Sequence, residues 1–412
     1  MNIDQKTLAA RLKNARLAAN LTQEDVANTV ELPRSAIAQI EAGNRVVSSL
    51  ELARLSSIYK RDIVSFFEPE PQPAEETLVA LFRAANVEGN VGEWQSEVNK
   101  HLEVCRLGVK LETRLGRPPR KGPPSYDLPL PQRTMEAVEQ GNAIAEQERR
   151  RLGLGHNPIS DMADLINSQN IWASGARFPA EMSGVFLNHS SCGMFILVNF
   201  DHPRTRKRFS YAHEYAHALL DREQTASLSL DQDRSKFGEV RANAFAAAFL
   251  LPRSGVWAFL NSRFKGGASF VAQAVYDPTT EQSEDGVHAT RRAATQSQVL
   301  TYEDVAALAH HFGVSYQAAL YRLKSLEVLR ENEFSELKAK EDAGEAYREF
   351  IMELGGLKEE VPKRHDREII MQVVHLVLEA YRRGEVQNEE LREISKLLEI
   401  EFQNLLNLAV AV

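Results

Sequence analysis

Apolar and polar positions change their spacing along the chain, and the changes divide it. Over residues 1–68 apolar residues recur at helical spacing between polar breaks, with no strand-like alternation, which predicts a short all-helical domain. EPEPQPAEE at 68–76 interrupts this pattern, because proline fixes its own backbone and disfavours helix in the residue before it. Residues 77–115 are again helical in pattern, RPPRKGPPSYDLPLPQ at 117–132 reads as an extended connector, and another helical stretch covers 133–152; together 69–154 form a helical linker region with Pro-rich connectors. From about 158 the texture shifts. A helical SDMADLINSQ leads into MSGVFLN at 182–188 and MFILVNF at 194–200, which read as paired strands across the turn HSSCG. A polar loop at 221–238 precedes the Ala-rich apolar helix EVRANAFAAAFLLP at 239–252, so 155–326 is predicted to be an α+β domain. Residues 265–298, polar and rich in Gly, Ser and Thr, are expected to form a loop, and 327–412 a helical C-terminal region. The fold class predicted is multidomain and mostly α, with an α+β centre.

Size and composition set bounds on this picture. A chain of 412 residues accommodates about two to four domains, each burying its own core. A formal net charge of −8, with 26% charged and 43% hydrophobic residues, is ordinary for a globular protein and does not by itself indicate nucleic acid. Cys105 and Cys192 are too few for a disulfide framework or a four-cysteine metal site, which fits a reducing interior. The N-terminus lacks a secretory apolar core, and no stretch approaches about 20 apolar residues, so a cytoplasmic protein without a membrane span is expected.

The chemistry concentrates in HEYAH, where His213, Glu214 and His217 match H-E-x-x-H in a helical segment. Helix positions four apart share a face, with Cβ atoms about 5–6 Å apart, so two imidazoles can converge on one ion. Glu214 lies beside them, where a carboxylate can take a proton from water whose pKa zinc lowers from about 15.7 to about 7. A catalytic zinc needs a third protein ligand, and Asp221, Glu223, Asp231, Asp233 and Glu239 follow downstream. His213 and Asp221 are separated by about 12 Å along a straight helix, too far to share one ion with His217. Glu239 opens a second apolar helix that the intervening loop can fold against the first, with Phe245, Phe249 and Leu250 as core anchors. The strand pair at 182–200 offers an edge on which an extended peptide could bind. Tyr211 reads as packing, His189 and His202 as surface turn residues, and Arg204, Arg206, Lys207 and Arg208 as a solvated loop.

RFSYAHEYAHALLD at 208–221, followed by EVRANAFAAAFLLP, resembles the ImmA/IrrE-type zinc metallopeptidases over roughly 155–326. The resemblance implies a zincin-like metallopeptidase domain with Zn2+ held by His213, His217 and Glu239, and Glu214 as general base. Members of that family often carry Leu-Gly within the motif and a His after the following leucines, where this chain has Tyr215, Ala216 and Asp221. These departures spare the metal-site residues and bear on the groups that orient them.

LTQEDVANTVELPRSAIAQIEAGNR at 21–45 places a short helix, a turn and a second helix in succession, the helix-turn-helix arrangement. Thr22 caps the first helix, Val26 and Ala27 face inward, Ile37 and Ile40 seat the second helix, and Gly43 ends it. Arg34, Ser35 and Gln39 then remain for base edges in the major groove, and Gln23 and Asn44 for phosphates. With its flanks the stretch resembles the Xre or lambda-repressor-like domains, a resemblance that implies a structural ion pair between Arg16 and Glu41. Residues 1–70 hold nine Lys/Arg and nine Asp/Glu, so weak monomer binding, strengthened in a homodimer on paired half-sites, is expected.

TYEDVAALAHHFGVSYQAALYRLKSL at 301–326 resembles a second helix-turn-helix, read as packing or substrate docking. The expectation is a cytoplasmic transcriptional regulator that binds a double-stranded DNA operator and carries its own zinc endopeptidase. Its substrate would be a helix-turn-helix repressor, another regulatory protein or the chain itself, cleaved after stress or an intracellular signal. The competing reading is a DNA-binding sensor without enzymatic activity, whose peptidase-like domain binds a ligand or partner protein.

Overall fold

The computed structural model describes residues 5–18, 21–30, 32–59, 63, 66, 91–189, 191–222, 226–230, 236–265, 270–275, 287–292, 298–355 and 368–410. The Pro-rich patch at 68–76 and the candidates Glu223, Asp231 and Asp233 lie outside them. The chain forms two compact units, Met1–Pro71 and Gln72–Val412.

The first unit contains α1 (Gln5–Ala18), α2 (Gln23–Val30), α3 (Arg34–Glu41) and α4 (Ser49–Ile58). Leu12, Val26, Ile37, Ile40 and Leu55 form its core, the set that helical spacing assigns inward. Thr22 caps α2 reciprocally with Asp25: its hydroxyl accepts the Asp25 N–H at 3.1 Å, and Asp25 Oδ2 accepts the Thr22 N–H at 2.8 Å. Gly43 leaves α3 at φ +72°, a left-handed conformation that strains any residue with a Cβ.

In the second unit, α5 (Val91–Arg114), α6 (Thr134–Arg151) and α7 (Met162–Ser168) precede β1 (Trp172–Ala176), β2 (Met182–His189) and β3 (Gly193–Asn199). Then come α8 (Arg204–Leu220), β4 (Ala226–Leu230), α9 (Phe237–Leu250) and α10 (Arg253–Ser262). Within the expected loop at 265–298 the described residues instead form a two-stranded antiparallel sheet, β5 (Phe270–Val275) and β6 (Val287–Arg292). The polar residues of VHATRR concealed it, because strand pairing needs backbone hydrogen bonds and not an apolar run. The remaining helices are α11 (Tyr302–Phe312), α12 (Tyr316–Ser325), α13 (Glu331–Lys338), α14 (Glu341–Leu354), α15 (Glu368–Arg382), α16 (Asn388–Leu397) and α17 (Phe402–Val410).

The main sheet runs β1-β3-β2-β4, with β1 parallel to β3 and the other pairs antiparallel. Alternation along the strands serves two cores. Phe186, Ile196 and Val198 face the cluster containing Tyr215, Ala216, Phe245 and Phe249 of α8 and α9. Val185, Leu187, Phe195 and Leu197 face the other way, onto Leu102 and Leu111 of α5 and Val373 and Val377 of α15. Burial on both faces explains why MFILVNF reads as a continuous apolar run. The C-terminal helices α15–α17 share this second core with the sheet. In the first core, α12 buries Tyr316, Leu320 and Leu323, so 301–326 serves packing.

Candidate metal centre and DNA-contacting helix

Helix α8 begins after Pro203, so Arg204, Arg206, Lys207 and Arg208 occupy its first turns, not a loop, and Lys207 and Arg208 are buried. Further along, His213 and His217 lie one turn apart on a buried face, with their Nε2 atoms 3.2 Å apart. Glu239, in the first turn of α9, brings Oε2 to 3.0 Å from His213 Nε2 and Oε1 to 3.5 Å from His217 Nε2. Phe245, Phe249 and Leu250 are buried on α9 and hold it in the core. Gly141 of α6 allows α9 to approach closely, since a Cβ there would lie 2.4 Å from the Arg241 carbonyl oxygen.

The other ring nitrogens are engaged. His213 Nδ1 donates to Asn243 Oδ1 at 2.9 Å, and His217 Nδ1 donates to Asp221 Oδ2 at 2.9 Å. In the neutral imidazoles both bonds place the proton on Nδ1, so that each Nε2 faces the cluster with its lone pair. Asp221 is in turn held by Arg241, whose guanidinium donates to Oδ1 at 2.5 Å and reaches Gln140 Oε1 at 3.3 Å. Burial alone would depress His217, but its bond to Asp221 and the charges of Glu239, Glu214 and Asp221 push its pKa up to about 9. Burial works to raise Glu239, yet the bond from His213 and the surrounding cations hold its carboxyl below the ordinary value. Two imidazole nitrogens and a carboxylate oxygen, all within 4.8 Å of one another, form a donor set that could hold a metal ion.

Glu214 is fully buried, and neither carboxylate oxygen has a hydrogen-bond partner of good geometry among the described residues. Burial raises its pKa, opposed by His213, His217 and the nearby Ser229 hydroxyl on β4. An unsatisfied buried carboxylate is costly, so its retention beside three convergent donors fits a reactive group and a metal. Gly184 of β2 makes room for it, since a Cβ there would lie 2.7 Å from Glu214 Oε1.

Tyr215 fills the core, stacked obliquely 5.9 Å from Phe249, with its hydroxyl donating to the buried Glu148 carboxylate. Tyr211 is also buried in that core. His189 and His202, expected at the surface, are 1% and 9% exposed and stand apart from the metal cluster. Ser191 N–H donates to His189 Nδ1 at 3.1 Å, and His202 Nε2 lies 3.0 Å from the Ala180 carbonyl oxygen. The expected free edge of the strand pair is not there: β2 and β3 are both internal, flanked by β4 and β1. Gly184, Ser229, Asn243 and Arg241 were not singled out from sequence. Asn243 carried a usable signal, lying four residues after Glu239 on the same helix face.

In the first unit, Arg34, Ser35, Gln39 and Asn44 are exposed on α3 and the turn after it. Arg34 makes only a loose contact with Glu24 at 3.7 Å. Arg16 grips Glu41 bidentately at 2.6 and 3.0 Å, and both side chains are buried. Gln23, expected at a phosphate, donates its amide to Glu41 Oε2 at 2.8 Å and so joins this internal cluster.

Residues 7–64 match the profile of a helix-turn-helix domain, and residues 167–273 match the profile of the IrrE N-terminal-like domain. No curated protein matches the chain. Among solved structures it aligns with Bacillus thuringiensis PlcR in complex with the peptide PapR7 and DNA, at 10% identity over 98% of this chain and 93% of that one. The TM-score of 0.16 is too low to transfer fold or ligands. The chain thus joins an N-terminal helix-turn-helix domain to a central IrrE N-terminal-like domain.

Proposed function

We propose that this chain is a DNA-binding transcriptional regulator whose central domain is a zinc-dependent endopeptidase. Its substrate is a regulatory protein, either a helix-turn-helix repressor or this chain itself, cleaved in response to stress or an intracellular signal. The observation that carries this reading is the convergence of His213, His217 and Glu239 beside the buried, unsatisfied carboxylate of Glu214.

In this reading His213, His217 and Glu239 hold the ion, while Asn243 and Asp221 keep both imidazoles in the binding tautomer. Zinc, when bound, supplies Lewis acidity toward a scissile carbonyl and toward water. Glu214 takes the proton of the attacking water and returns it to the amine nitrogen as the C–N bond breaks. Its raised pKa suits both halves of that transfer. Strand β4 has no partner on its outer side among the described residues, so an extended peptide can pair with it near Ser229 and Glu214. No helix of the described residues is long and apolar enough to cross a membrane.

The test compares wild-type and Glu214→Gln protein, each with verified zinc, incubated with candidate repressors, with new termini mapped by mass spectrometry. Cleavage by wild-type alone is expected. Equal cleavage by both would refute Glu214 as the base.

A further inference from the structure

A groove at the opposite end of α8 has no part in the chemistry above. Its volume is about 520 Å³, within the range of about 300–1,000 Å³ usual for small-ligand sites. It is lined by Arg204, Arg208, Arg263, Arg348, His310 and His311, and no Asp or Glu is among its lining residues. The acids just outside offset only part of this charge: Asp304 lies 3.6 Å from Arg263, Glu345 lies 2.5 Å from Arg348, and Asp161 acts on Arg208. Arg204 has no ion-pair partner among the described residues. Burial first, and neighbouring cations second, depress His310, His311 and Arg208, so the positive charge of the groove rests on its arginines and not on the two imidazoles.

Two independent features aim this charge at an anion. Arg204 and Thr205 belong to the first turn of α8, a helix whose N-cap makes no side-chain hydrogen bond, and both line the groove, so the positive end of the helix dipole lies at its wall. Arg208 is only 8% exposed, and its Nε has no hydrogen-bond partner, although its terminal nitrogens donate to the carbonyls of Ile159, Ser160 and Phe312. Gly313 leaves room for the Arg208 side chain, since a Cβ there would lie 3.1 Å from its Nε. The opposite wall is apolar, formed by Phe259, Ile351 and Met352.

We propose that this groove binds a small phosphorylated molecule, with its phosphate at the N-terminus of α8 between Arg204 and Arg208 and its apolar portion against Phe259, Ile351 and Met352. The site lies on the helix that carries His213 and His217, about 14 Å from Arg204 to His213 at 1.5 Å per residue. Occupancy therefore bears on the helix that positions the metal ligands. The proposal stands independently of peptidase activity.

The full-length chain is titrated calorimetrically at fixed ionic strength with inorganic phosphate, adenosine monophosphate and uncharged adenosine. Saturable binding of phosphate and tighter binding of adenosine monophosphate are expected, with none for adenosine. Arg204→Glu, at an exposed position, weakens adenosine monophosphate by about tenfold or more without lowering the melting temperature. Binding persists after a chelator removes metal, which separates this groove from the zinc centre. Absence of saturable phosphate and nucleotide binding, an unchanged affinity in Arg204→Glu, or loss of binding with the metal would each overturn the proposal.

Discussion

Asp221 fixes the orientation of His217: its Oδ2 accepts the Nδ1 proton at 2.9 Å, while Arg241 holds its Oδ1 at 2.5 Å. The position at which related sequences often carry histidine thus provides the outer carboxylate of a carboxylate–imidazole pair. Such partners fix the tautomer and raise the basicity of the ligating nitrogen, and their loss weakens metal binding by about 10–100-fold. Asp221→Asn is therefore expected to bind zinc more weakly by a factor in that range, measured by competition with a chromophoric chelator. Zinc affinity equal to wild-type in a folded variant would show that Asp221 only packs against Arg241.

The convergence of the candidate metal-holding residues was legible to the extent that these groups are local in sequence. His213, Glu214 and His217 sit within one helical turn, where periodicity alone fixes their faces. Glu239 was legible because it opens the next apolar helix. Gly184 and Ser229 were not, because their proximity to Glu214 depends on strand register, and Gly184 pairs with Ser229 across β2 and β4. No local pattern encodes a register between strands separated by a helix. The same limit hid the flanking strands β1 and β4 and left the β2–β3 pair with a false free edge. Lys207 and Arg208 misled in another way: charge suggested solvent, but a buried guanidinium can donate to backbone carbonyls, as the terminal nitrogens of Arg208 do to Ile159 and Phe312.

The tie between Tyr215 and Glu148 gives the core beneath HEYAH a pH dependence. Burial opposes ionisation of Glu148, but Arg151 and the hydroxyls of Tyr215 and Tyr126 more than offset it and hold the carboxyl below its ordinary value of 4.5. A carboxyl depressed in the folded state contributes stability above its unfolded pKa and loses it as pH falls through the folded pKa. Glu148→Gln is expected to cost about 1.5–3 kcal/mol at neutral pH, the usual worth of a hydrogen bond to a charged group. The difference from wild-type narrows as pH drops below about 4.5, as followed by chemical denaturation across pH. A gap that stays constant with pH would assign the loss to packing, not to the carboxylate charge.

The helix-turn-helix separates residues that face outward from residues that hold the unit together, and substitution can distinguish them. Arg34 is 67% exposed at its side chain and Gln39 lies on the same exposed helix, so neither change should lower the melting temperature. Each good base-edge contact is worth about 1–3 kcal/mol of discrimination, so Arg34→Ala and Gln39→Ala should each flatten the preference for a selected operator over random duplex by that amount. Gln23 is the discriminating case. As a phosphate-binding residue it would leave stability untouched while its removal weakened binding to all duplexes alike. As a donor to Glu41 Oε2, beside the Arg16 pair, its removal leaves a buried carboxylate oxygen with one bond fewer. Gln23→Ala is accordingly expected to lower the melting temperature of this unit while leaving operator preference intact, read by thermal denaturation alongside fluorescence anisotropy. A full-strength melt with uniformly weakened binding would return Gln23 to the DNA backbone.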